Sequence, residues 1–318
     1  MKSRPTVMLV GAGGFGIHHL EGLLTARTPL SIYVVDRSAE ALAAAKKLGS
    51  GNHSVAYSTE IPSIAGVDVA IVATTSGARA AAVRALFAQV SKVRYLLLEK
   101  ILFDTHADYA LIENLLKKRR VKAWVNSPLP LFPFHSSLRH IGTSTCHIVG
   151  GARYALMTNI IHYAHFAAHL AGSAPRSCDT SLLTPNIIAS KRSGYLELMG
   201  TLTVTFKNGA RLIATTLPNA RARTTVILGR SVRATIDEST GTAQIAKRST
   251  HWKWKEVPAP FLKQSDMTGP VVEQLLKKGT CDLPTYAQSR ELHLVILGAV
   301  KKFLKQHKHR TKVDYPFT

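Results

Sequence analysis

The sequence is poor in cysteine and has no two cysteines at the spacing of a metal site. Its three cysteines, Cys146, Cys178 and Cys281, stand far apart in a chain of 318 residues. This usage argues against a disulfide framework or a zinc module and is typical of a cytosolic protein with reduced thiols. Uninterrupted apolar runs of about 18 residues are also absent, so no membrane-spanning helix is expected.

Acidic residues are scarce, with 19 Asp and Glu against 41 Lys and Arg. The formal net charge of +22 attracts anions such as phosphorylated metabolites, nucleic acid or an anionic membrane surface. Basic residues cluster at 117–122 and 301–312, at or beyond the ends of helical patterns. A solvated basic surface and an anionic ligand both explain this charge. No helix-turn-helix, RRM or zinc-finger pattern occurs, so a nucleic-acid partner is not expected.

The first apolar segment, Thr6–Val10, follows basic residues, as the core of a signal peptide would. It is short, however, and runs directly into glycines without a small-residue cleavage site. We therefore interpret it as a buried strand and expect a cytoplasmic protein.

Strand patterns and helical patterns alternate over the first part of the chain, which is typical of an α/β doubly wound parallel sheet. From residue 123 onward most segments have strand patterns, with helical patterns at 159–170 and 286–304. Asn208-Gly209 between two strand patterns is a strong hairpin signal. We predict a Rossmann dinucleotide-binding domain over residues 1–122. An α+β substrate-binding and oligomerisation domain on an open, mainly antiparallel sheet is predicted over residues 123–318.

A glycine-rich loop joins the first strand pattern to a helical pattern. In a dinucleotide fingerprint the first glycine permits a tight turn, the second lets the backbone approach the pyrophosphate, and the third lets the helix pack on the strand. The helix that follows offers unpaired N–H groups to the diphosphate. The predicted dinucleotide contacts in this loop are Gly11, Gly13, Gly14, Phe15 and Gly16.

Asp36 ends the second strand pattern, 20 residues after Gly16. A carboxylate at this place accepts hydrogen bonds from the adenosine ribose and repels a 2′-phosphate. It therefore favours NAD over NADP. The adjacent Arg37 is a further predicted cofactor contact and weakens that preference, so NADP stays the alternative cofactor.

Five further segments resemble, in order, motifs of the Gfo/Idh/MocA family of NAD(P)-dependent sugar oxidoreductases. They are Val72-Ala73-Thr74-Thr75, Leu98-Glu99-Lys100-Ile101, Val125-Asn126-Ser127-Pro128, Ile161-His162 and Phe206-Lys207-Asn208-Gly209-Ala210. The resemblance implies an NAD(P)-binding Rossmann fold in which Val125–Pro128 opens the substrate domain. The cofactor contacts that it implies are Thr74, Thr75, Glu99 and Lys100, and the catalytic residues that it implies are Lys100 and His162.

Hydride transfer at a sugar carbon requires a group that takes or gives the hydroxyl proton. Lys100 directly follows a strand pattern, at the edge of the sheet where open α/β sheets bind ligands. Partial burial lowers the pKa of a lysine and suits it to proton transfer near neutral pH. The alternative is an exposed lysine at a strand end. Glu99 could instead pair with a basic group and hold the loop. His162 is the second candidate acid or base.

Two residues depart from the family pattern. Thr158 stands where the family has an aspartate, and neither Thr158 nor the adjacent Asn159 can act as a base. Ile101 replaces the proline of the Glu-Lys-Pro motif. Because a cis peptide without proline costs about 3 kcal/mol, we expect the loop after Lys100 to follow a different path. Either Lys100 and His162 suffice for a different substrate, or ordinary turnover has been lost.

The predicted substrate contacts are Asn126, Phe132, Thr158 and Asn159. Phe132 lies in a proline-rich segment that would either wall a sugar or form a hydrophobic hinge.

Three histidines, His162, His165 and His169, share one face of a helical pattern. No Asp, Glu or Cys on that segment completes a metal site, so no metal is expected. His165 and His169 are expected to pack in the interior or to contact another subunit.

These patterns favour an NAD-dependent oxidoreductase of a sugar or nucleotide sugar, with an anionic substrate suited to the positive charge. A role in polysaccharide biosynthesis follows from the family resemblance alone. One alternative is a biliverdin-reductase-like reductase of a non-sugar acidic substrate. Another is a non-catalytic dinucleotide-binding sensor or scaffold. We expect a homo-oligomer, a dimer or tetramer, that forms through the open sheet.

Overall fold

The computed structural model describes residues 4–138, 144–150, 155–217 and 223–318, with the backbone alone for 144–149. The chain forms two compact units. One consists of Met1–Asn126 and Leu262–Tyr286, and the other of Ser127–Phe261 and Ala287–Thr318. The sequence predicts a single boundary near residue 122, whereas the later segment Leu262–Tyr286 also belongs to the first unit.

The first unit is built on a six-stranded sheet with helices between its strands. The strands are β1 (Thr6–Val10), β2 (Ser31–Val35), β3 (Ser54–Ser58), β4 (Ile64–Val72), β5 (Val90–Glu99) and β6 (Lys122–Asn126). The helices are α1 (Gly16–Leu24), α2 (Ala39–Lys46), α3 (Ser76–Gln89) and α4 (His106–Arg119). Neighbouring strands are parallel, in the order β3-β2-β1-β4-β5-β6. In this doubly wound order the winding reverses between β1 and β4, and ligands of such sheets bind at the carboxyl ends beside that point.

The burial of β1 explains its unbroken apolar sequence. Val7, Met8 and Leu9 have no exposed surface, as expected of a central parallel strand that is covered on both faces. The strand β3, by contrast, is partly exposed and polar at the sheet edge, and its sequence carried no clear strand signal. The segment at Asn126, expected to open the second domain, is the end of β6 and pairs with β5 in the parallel sheet.

The second unit contains an eight-stranded sheet and helices. Its elements before residue 262 are α5 (Pro133–Ser136), β7 (Ser144–Gly150), α6 (Leu156–Ala171), β8 (Pro175–Ala189), β9 (Leu196–Phe206), β10 (Arg211–Thr216), β11 (Thr224–Gly229), β12 (Val232–Asp237), β13 (Thr242–Lys247) and β14 (Trp254–Pro258). The strand order is β14-β13-β12-β11-β7-β10-β9-β8. The pairs are antiparallel except for β7 and β10, which are parallel.

The helix α6 lies against β7, β9 and β10. It buries Ile160, Ile161 and Phe166, and Leu212 and Ala214 of β10 are buried as well. The predicted hairpin joins β9 to β10, and Gly209 in its turn has a φ of +86° that favours glycine. The predicted fold class, a doubly wound parallel sheet followed by a mainly antiparallel α+β unit, is confirmed.

Two helices follow the second sheet, α7 (Gln264–Lys278) and α8 (Tyr286–Gln306). α7 belongs to the first unit and packs on α1 through two glycines. A Cβ on Gly22 would lie 2.8 Å from the Ser265 carbonyl oxygen, and one on Gly269 would lie 2.6 Å from the Gly22 carbonyl oxygen. The helix α7 was not predicted from the sequence, because Gly269-Pro270 within it has the composition of a turn.

The basic cluster near residue 117 lies at a helix end, as predicted. Lys117, Lys118 and Arg119 occupy the last turn of α4, where cations complement the helix dipole. None of the helices in the described part of the chain has the length and apolarity needed to cross a lipid bilayer.

Candidate functional site

The two outer glycines of the loop after β1, Gly11 and Gly16, are packed tightly against neighbouring backbone. Gly11 has a φ of +97°, and a Cβ there would lie 3.0 Å from the Ala73 carbonyl carbon and from the Thr74 nitrogen. A Cβ on Gly16 would lie 1.9 Å from the Gly11 carbonyl oxygen. Both positions therefore require glycine, the first for the turn and the second for the approach of α1 to the strand.

The middle of the same loop is open. A Cβ on Gly13 or Gly14 would meet no atom of the described residues within 4 Å, and both glycines are exposed. Phe15 is half-buried, and its ring makes edge contacts with the rings of His18 and His19. A backbone that is bare at Gly13 and Gly14, at the start of a helix, has the form of a cradle for a diphosphate.

Asp36 lies at the end of β2 and reaches the glycine loop. Its Oδ2 accepts a hydrogen bond of 2.7 Å from the Ala12 N–H, and its Oδ1 accepts one of 2.8 Å from the Ser38 N–H. Asp36 is half-buried and Arg37 is exposed. The carboxylate thus both orders the loop and stands where a ribose would lie in a dinucleotide fold.

The buried Arg79 on α3 binds two segments that carry predicted cofactor contacts. It is 1% exposed, and its guanidinium donates to the carbonyls of Thr74, Ile101 and Leu102, the last at 2.9 Å. The loops that follow β4 and β5 are therefore held by one planar group. This role of Arg79 was not predicted, because its only signal in the sequence is an arginine within the alanine-rich first turns of α3.

Thr74 and Thr75 lie between β4 and α3. Thr75 is exposed and precedes the first residue of α3, and its side chain makes no capping hydrogen bond. The Thr74 hydroxyl is buried and has no hydrogen-bond partner among the described residues. Their predicted contact with a cofactor stays a prediction.

Glu99 is 5% exposed and pairs with a basic group, which is one of the two roles that the sequence suggested for it. Its Oε1 lies 2.9 Å from His19 Nε2, and the same oxygen accepts a hydrogen bond from Asn126 Nδ2. Burial alone would raise the pKa of the Glu99 carboxyl. The hydrogen bond and charge of His19, the charge of Lys100 and the hydrogen bond from Asn126 outweigh burial and hold that pKa below its ordinary value.

This carboxylate belongs to a larger buried network that includes α7. His19 Nδ1 lies 3.0 Å from Thr268 Oγ1, and Asn126 Nδ2 also donates to Gln264 Oε1 at 2.8 Å. Gln264 Nε2 in turn lies 2.9 Å from Thr268 Oγ1. Asn126 therefore serves this network within the first unit, and its predicted role as a substrate contact stays a prediction.

Lys100 follows Glu99 and is half-buried. The peptide bond between Lys100 and Ile101 is cis although no proline is present. The Ile101 side chain is fully buried.

His162 on α6 is half-buried, and its Nδ1 lies 3.3 Å from Ser127 Oγ. His165 points to the interior, where its Nε2 lies 2.9 Å from Ser289 Oγ, and burial lowers its pKa to about 3. His169 contributes to the lowered pKa of His135, which burial brings to about 4. Within the ranges described, no three His, Cys, Asp or Glu side chains form a group suited to a metal ion.

Thr158 and Asn159 lie in the first turn of α6, beside a carboxylate that sequence analysis missed. Glu197 on β9 is 3% exposed and accepts hydrogen bonds from Met157 N at 2.8 Å, Thr158 N at 3.0 Å and the Thr158 hydroxyl. It caps α6 from another element, with the sign that a helix N-terminus favours. No sequence signal connected it to α6, because the two are far apart along the chain.

Phe132 is 2% exposed, and its ring makes edge contacts with the rings of Phe261 and His135. The structure therefore places it in the interior of the second unit. Its predicted role as a wall for a sugar stays a prediction.

No protein-family model and no curated protein matches the sequence. Solved structures do match. An oxidoreductase from Agrobacterium radiobacter in complex with NAD+, L-tartaric acid and magnesium has a TM-score of 0.72 at 15% identity, over 98% of this chain and 99% of that chain. UDP-N-acetylglucosamine 3-dehydrogenase GnnA from Acidithiobacillus ferrooxidans has a TM-score of 0.66 at 13% identity, over 93% and 97%.

A third similar structure is a super-repressor mutant of Gal80p from Saccharomyces cerevisiae, with a TM-score of 0.70 at 13% identity, over 96% of this chain and 97% of that chain. At such identities the likeness shows the fold and not the activity. The chain therefore shares, over nearly its whole length, a fold found both in NAD-bearing oxidoreductases and in Gal80p.

Proposed function

We propose that this protein is an NAD-dependent oxidoreductase that transfers a hydride between the nicotinamide and a hydroxyl or carbonyl carbon of a sugar or nucleotide sugar. The observation that carries the proposal is the packing of the loop after β1. A side chain at Gly16 would clash with the loop backbone, one at Gly13 would meet no described atom, and the Ala12 N–H between them and β1 donates to the Asp36 carboxylate. The likeness in fold to oxidoreductases and the resemblance to Gfo/Idh/MocA motifs support it.

The residues of the first unit suit the dinucleotide in charge and shape. When bound, the nicotinamide supplies or accepts the hydride. N–H groups at the start of α1 would bind the diphosphate. Each Asp36 oxygen accepts one backbone hydrogen bond and keeps further lone pairs for ribose hydroxyls, while its charge repels a 2′-phosphate. NAD is therefore the proposed cofactor.

Lys100 and His162 are the proposed proton carriers. Lys100 follows the carboxyl end of β5, and the buried Glu99 beside it belongs to a network that fixes the start of this loop. His162 is half-buried on α6, with a hydroxyl at its Nδ1 that orients the ring. Thr158 cannot take this role, since its hydroxyl donates to Glu197.

The activity test begins with cofactor binding. Binding is measured by the quenching of protein fluorescence as NADH is added. Asp36→Ala should weaken NADH binding about ten-fold and bring the affinities for NADH and NADPH together. Absence of NADH binding in the unsubstituted protein would contradict the proposal.

The second stage of the test follows nicotinamide absorbance with a panel of sugars and nucleotide sugars. Lys100→Ala and His162→Ala should each lower turnover at least a hundred-fold while NADH still binds. Lys122→Ala, which alters an exposed lysine at the start of β6, is the matched control and should retain turnover. Unchanged turnover in the first two variants would remove their assignment.

A non-catalytic sensor is the second candidate, and one observation favours it. The residue in the place of the family aspartate, Thr158, is engaged with Glu197 and carries no acid–base group. NADH binding without turnover on any member of the panel would support the sensor and contradict the enzyme.

We also propose that copies of the chain associate through the face of the second sheet that points away from α6. Leu228 and Trp254 share that face, with exposures of 47% and 54%. Leu228→Lys should lower the oligomeric mass measured by light scattering. An unsubstituted protein that is monomeric at micromolar concentration would contradict association.

A further inference from the structure

A cavity of about 290 Å³ lies at the first turn of α6, within the second unit. Its walls combine the start of α6 with the end of β8, the start of β9, the end of β10 and Thr318. Small-molecule sites have volumes of about 300–1,000 Å³, so this cavity is at the lower limit and suits one ring-sized group.

One buried hydroxyl in this cavity has no hydrogen-bond partner among the described residues. Thr216 lines the cavity, is 3% exposed, and its Oγ1 makes no hydrogen bond with any part of the chain that the structure describes. On both neighbouring strands the residue opposite Thr216 is a glycine, Gly150 on β7 and Gly200 on β9. Neither glycine has a side chain that could satisfy this hydroxyl, and an unsatisfied buried polar group in a folded protein calls for an explanation.

The inner wall of the cavity is acidic and hydroxylated. Glu197 is 3% exposed and its carboxylate is fixed by the backbone of α6 and by the Thr158 hydroxyl. A bare anion in this part of the cavity would be repelled by the carboxylate. A polyol would not, because hydroxyl groups both donate to a carboxylate and accept from Thr216.

The outer wall is basic. Lys191 and Arg192 line the cavity, are exposed, and stand in the short connection between β8 and β9. Two adjacent cations at the mouth suit a phosphate or carboxylate, the first as a point charge and the second through its planar fork. A ligand that satisfies both walls is hydroxylated at one end and anionic at the other.

We propose that this cavity binds a monosaccharide with one anionic substituent, its ring hydroxyls at Thr216 and Glu197 and its anionic group at Lys191 and Arg192. Neither Lys100 nor His162 is among the described residues that line this cavity, so the site goes beyond the proposed function, and its ligand class is a sugar acid, a sugar phosphate or the sugar phosphate of a larger donor. The cavity is too small for a whole nucleotide sugar. None of these four residues was assigned a role from the sequence.

Binding is measured by isothermal titration of the full chain without NAD(H). The probes are D-glucuronate, D-glucose 6-phosphate, D-glucose and inorganic phosphate. At least one anionic sugar should bind ten-fold or more tightly than both glucose and phosphate. Equal affinity for phosphate and glucose 6-phosphate would mean a simple anion site, and equal affinity for glucose and both anionic sugars would mean that the cations have no role. Absence of binding by every probe would also overturn the proposal.

Variants locate the site. Lys191→Gln with Arg192→Gln should remove the preference for the anionic sugar, whereas Lys247→Gln with Arg248→Gln, the same charge change at another exposed place in this unit, should retain it. Retention of the preference in the first pair, or its loss in the second, would overturn the proposal.

Thr216→Val separates ligand binding from folding. Since the hydroxyl has no hydrogen-bond partner in the described part of the chain, its removal should leave the melting temperature unchanged or raise it. Affinity for the anionic sugar should fall about five-fold, with the preference over glucose retained. A lowered melting temperature with unchanged affinity would assign Thr216 a structural role and overturn this part of the site. Because no cofactor is present, failure of NADH binding in the earlier test leaves these outcomes readable.

Discussion

The buried imidazole of His19 contacts the carboxylate of Glu99, with 2.9 Å between Nε2 and Oε1. The pair joins α1, which begins at the glycine loop, to the end of β5, which precedes Lys100. Loss of one partner leaves the other polar group buried without its main contact, and such losses cost about 3–5 kcal/mol. We expect His19→Leu to lower the free energy of unfolding by about that amount in urea titrations.

A double variant tests the pairing itself. When both partners are replaced by apolar residues, no uncompensated charge remains. His19→Leu with Glu99→Met should therefore be more stable than His19→Leu alone. If the two substitutions destabilise additively, the contact between the two side chains does not stabilise the fold.

Arg79 holds the backbone of two loops, through the carbonyls of Thr74, Ile101 and Leu102. Hydrogen bonds from a charged group contribute about 1.5–3 kcal/mol each, so Arg79→Met should lower the free energy of unfolding by about 3 kcal/mol or more. Arg79→Lys should recover only part, since one ammonium cannot span the three oxygens. The control is Arg84→Met on the same helix, where the side chain is exposed and little change is expected. Equal melting temperatures for the Arg79 and Arg84 variants would contradict this role.

Gly13 and Gly16 separate cofactor binding from folding. Gly16→Ala would place a methyl group against the Gly11 carbonyl oxygen, so we expect a strongly lowered melting temperature. Gly13→Ala meets no protein atom and should fold normally. If a diphosphate approaches the backbone there, however, NADH affinity should fall at least ten-fold. Wild-type affinity in Gly13→Ala would argue against the proposed position of the diphosphate.

Two buried histidines should make the protein sensitive to acid. Burial lowers the pKa of His165 to about 3, and burial together with the charge of His169 lowers that of His135 to about 4, from an ordinary value of 6.5. The unfolded chain therefore binds protons first, and the stability that these neutral side chains provide is complete above pH 6.5 and is lost as the pH falls toward 4 and 3. Between pH 6.5 and pH 5, each of these two histidines should lower the free energy of unfolding by about 2 kcal/mol.

The check is the free energy of unfolding measured at a series of pH values. His135→Phe, in a site flanked by the rings of Phe132, Phe134 and Phe166, should flatten the profile between pH 6.5 and pH 5. A profile for His135→Phe that parallels that of the unsubstituted protein would refute this origin of the acid sensitivity.

Glu99 should cause a second loss of stability in the pH profile, at a more acidic pH than the histidines do. Its pKa is lowered below the ordinary value of 4.5, so its contribution to stability is present above that pH and is lost as the pH falls below it. Glu99→Gln should remove this second loss of stability, while the loss caused by the two histidines should persist. A variant that keeps the same loss of stability below pH 4.5 would show that another carboxyl group is responsible.

The sequence by itself determined the parallel sheet and the glycine loop. Local chemistry is decisive there, because Gly11 must adopt a positive φ, Gly16 must lack a side chain, and an unbroken apolar run such as Val7–Val10, which leads directly into glycines, is typical of a strand covered on both faces. The β9–β10 hairpin was equally predictable, since Asn208-Gly209 specifies its own turn.

Only the tertiary structure decided the partners of the buried polar groups. His19 meets Glu99 through the packing of α1 on the sheet, Arg79 meets the carbonyl groups of two loops, and Glu197 meets the first turn of α6 from a neighbouring strand. α7 packs on α1 in the first unit because Gly22 and Gly269 let the two helices approach closely. Judged from the local sequence alone, Gly269-Pro270 would instead indicate a turn. A hydrogen-bond partner far along the chain leaves no periodic signal in the sequence, whereas a turn or a buried strand does.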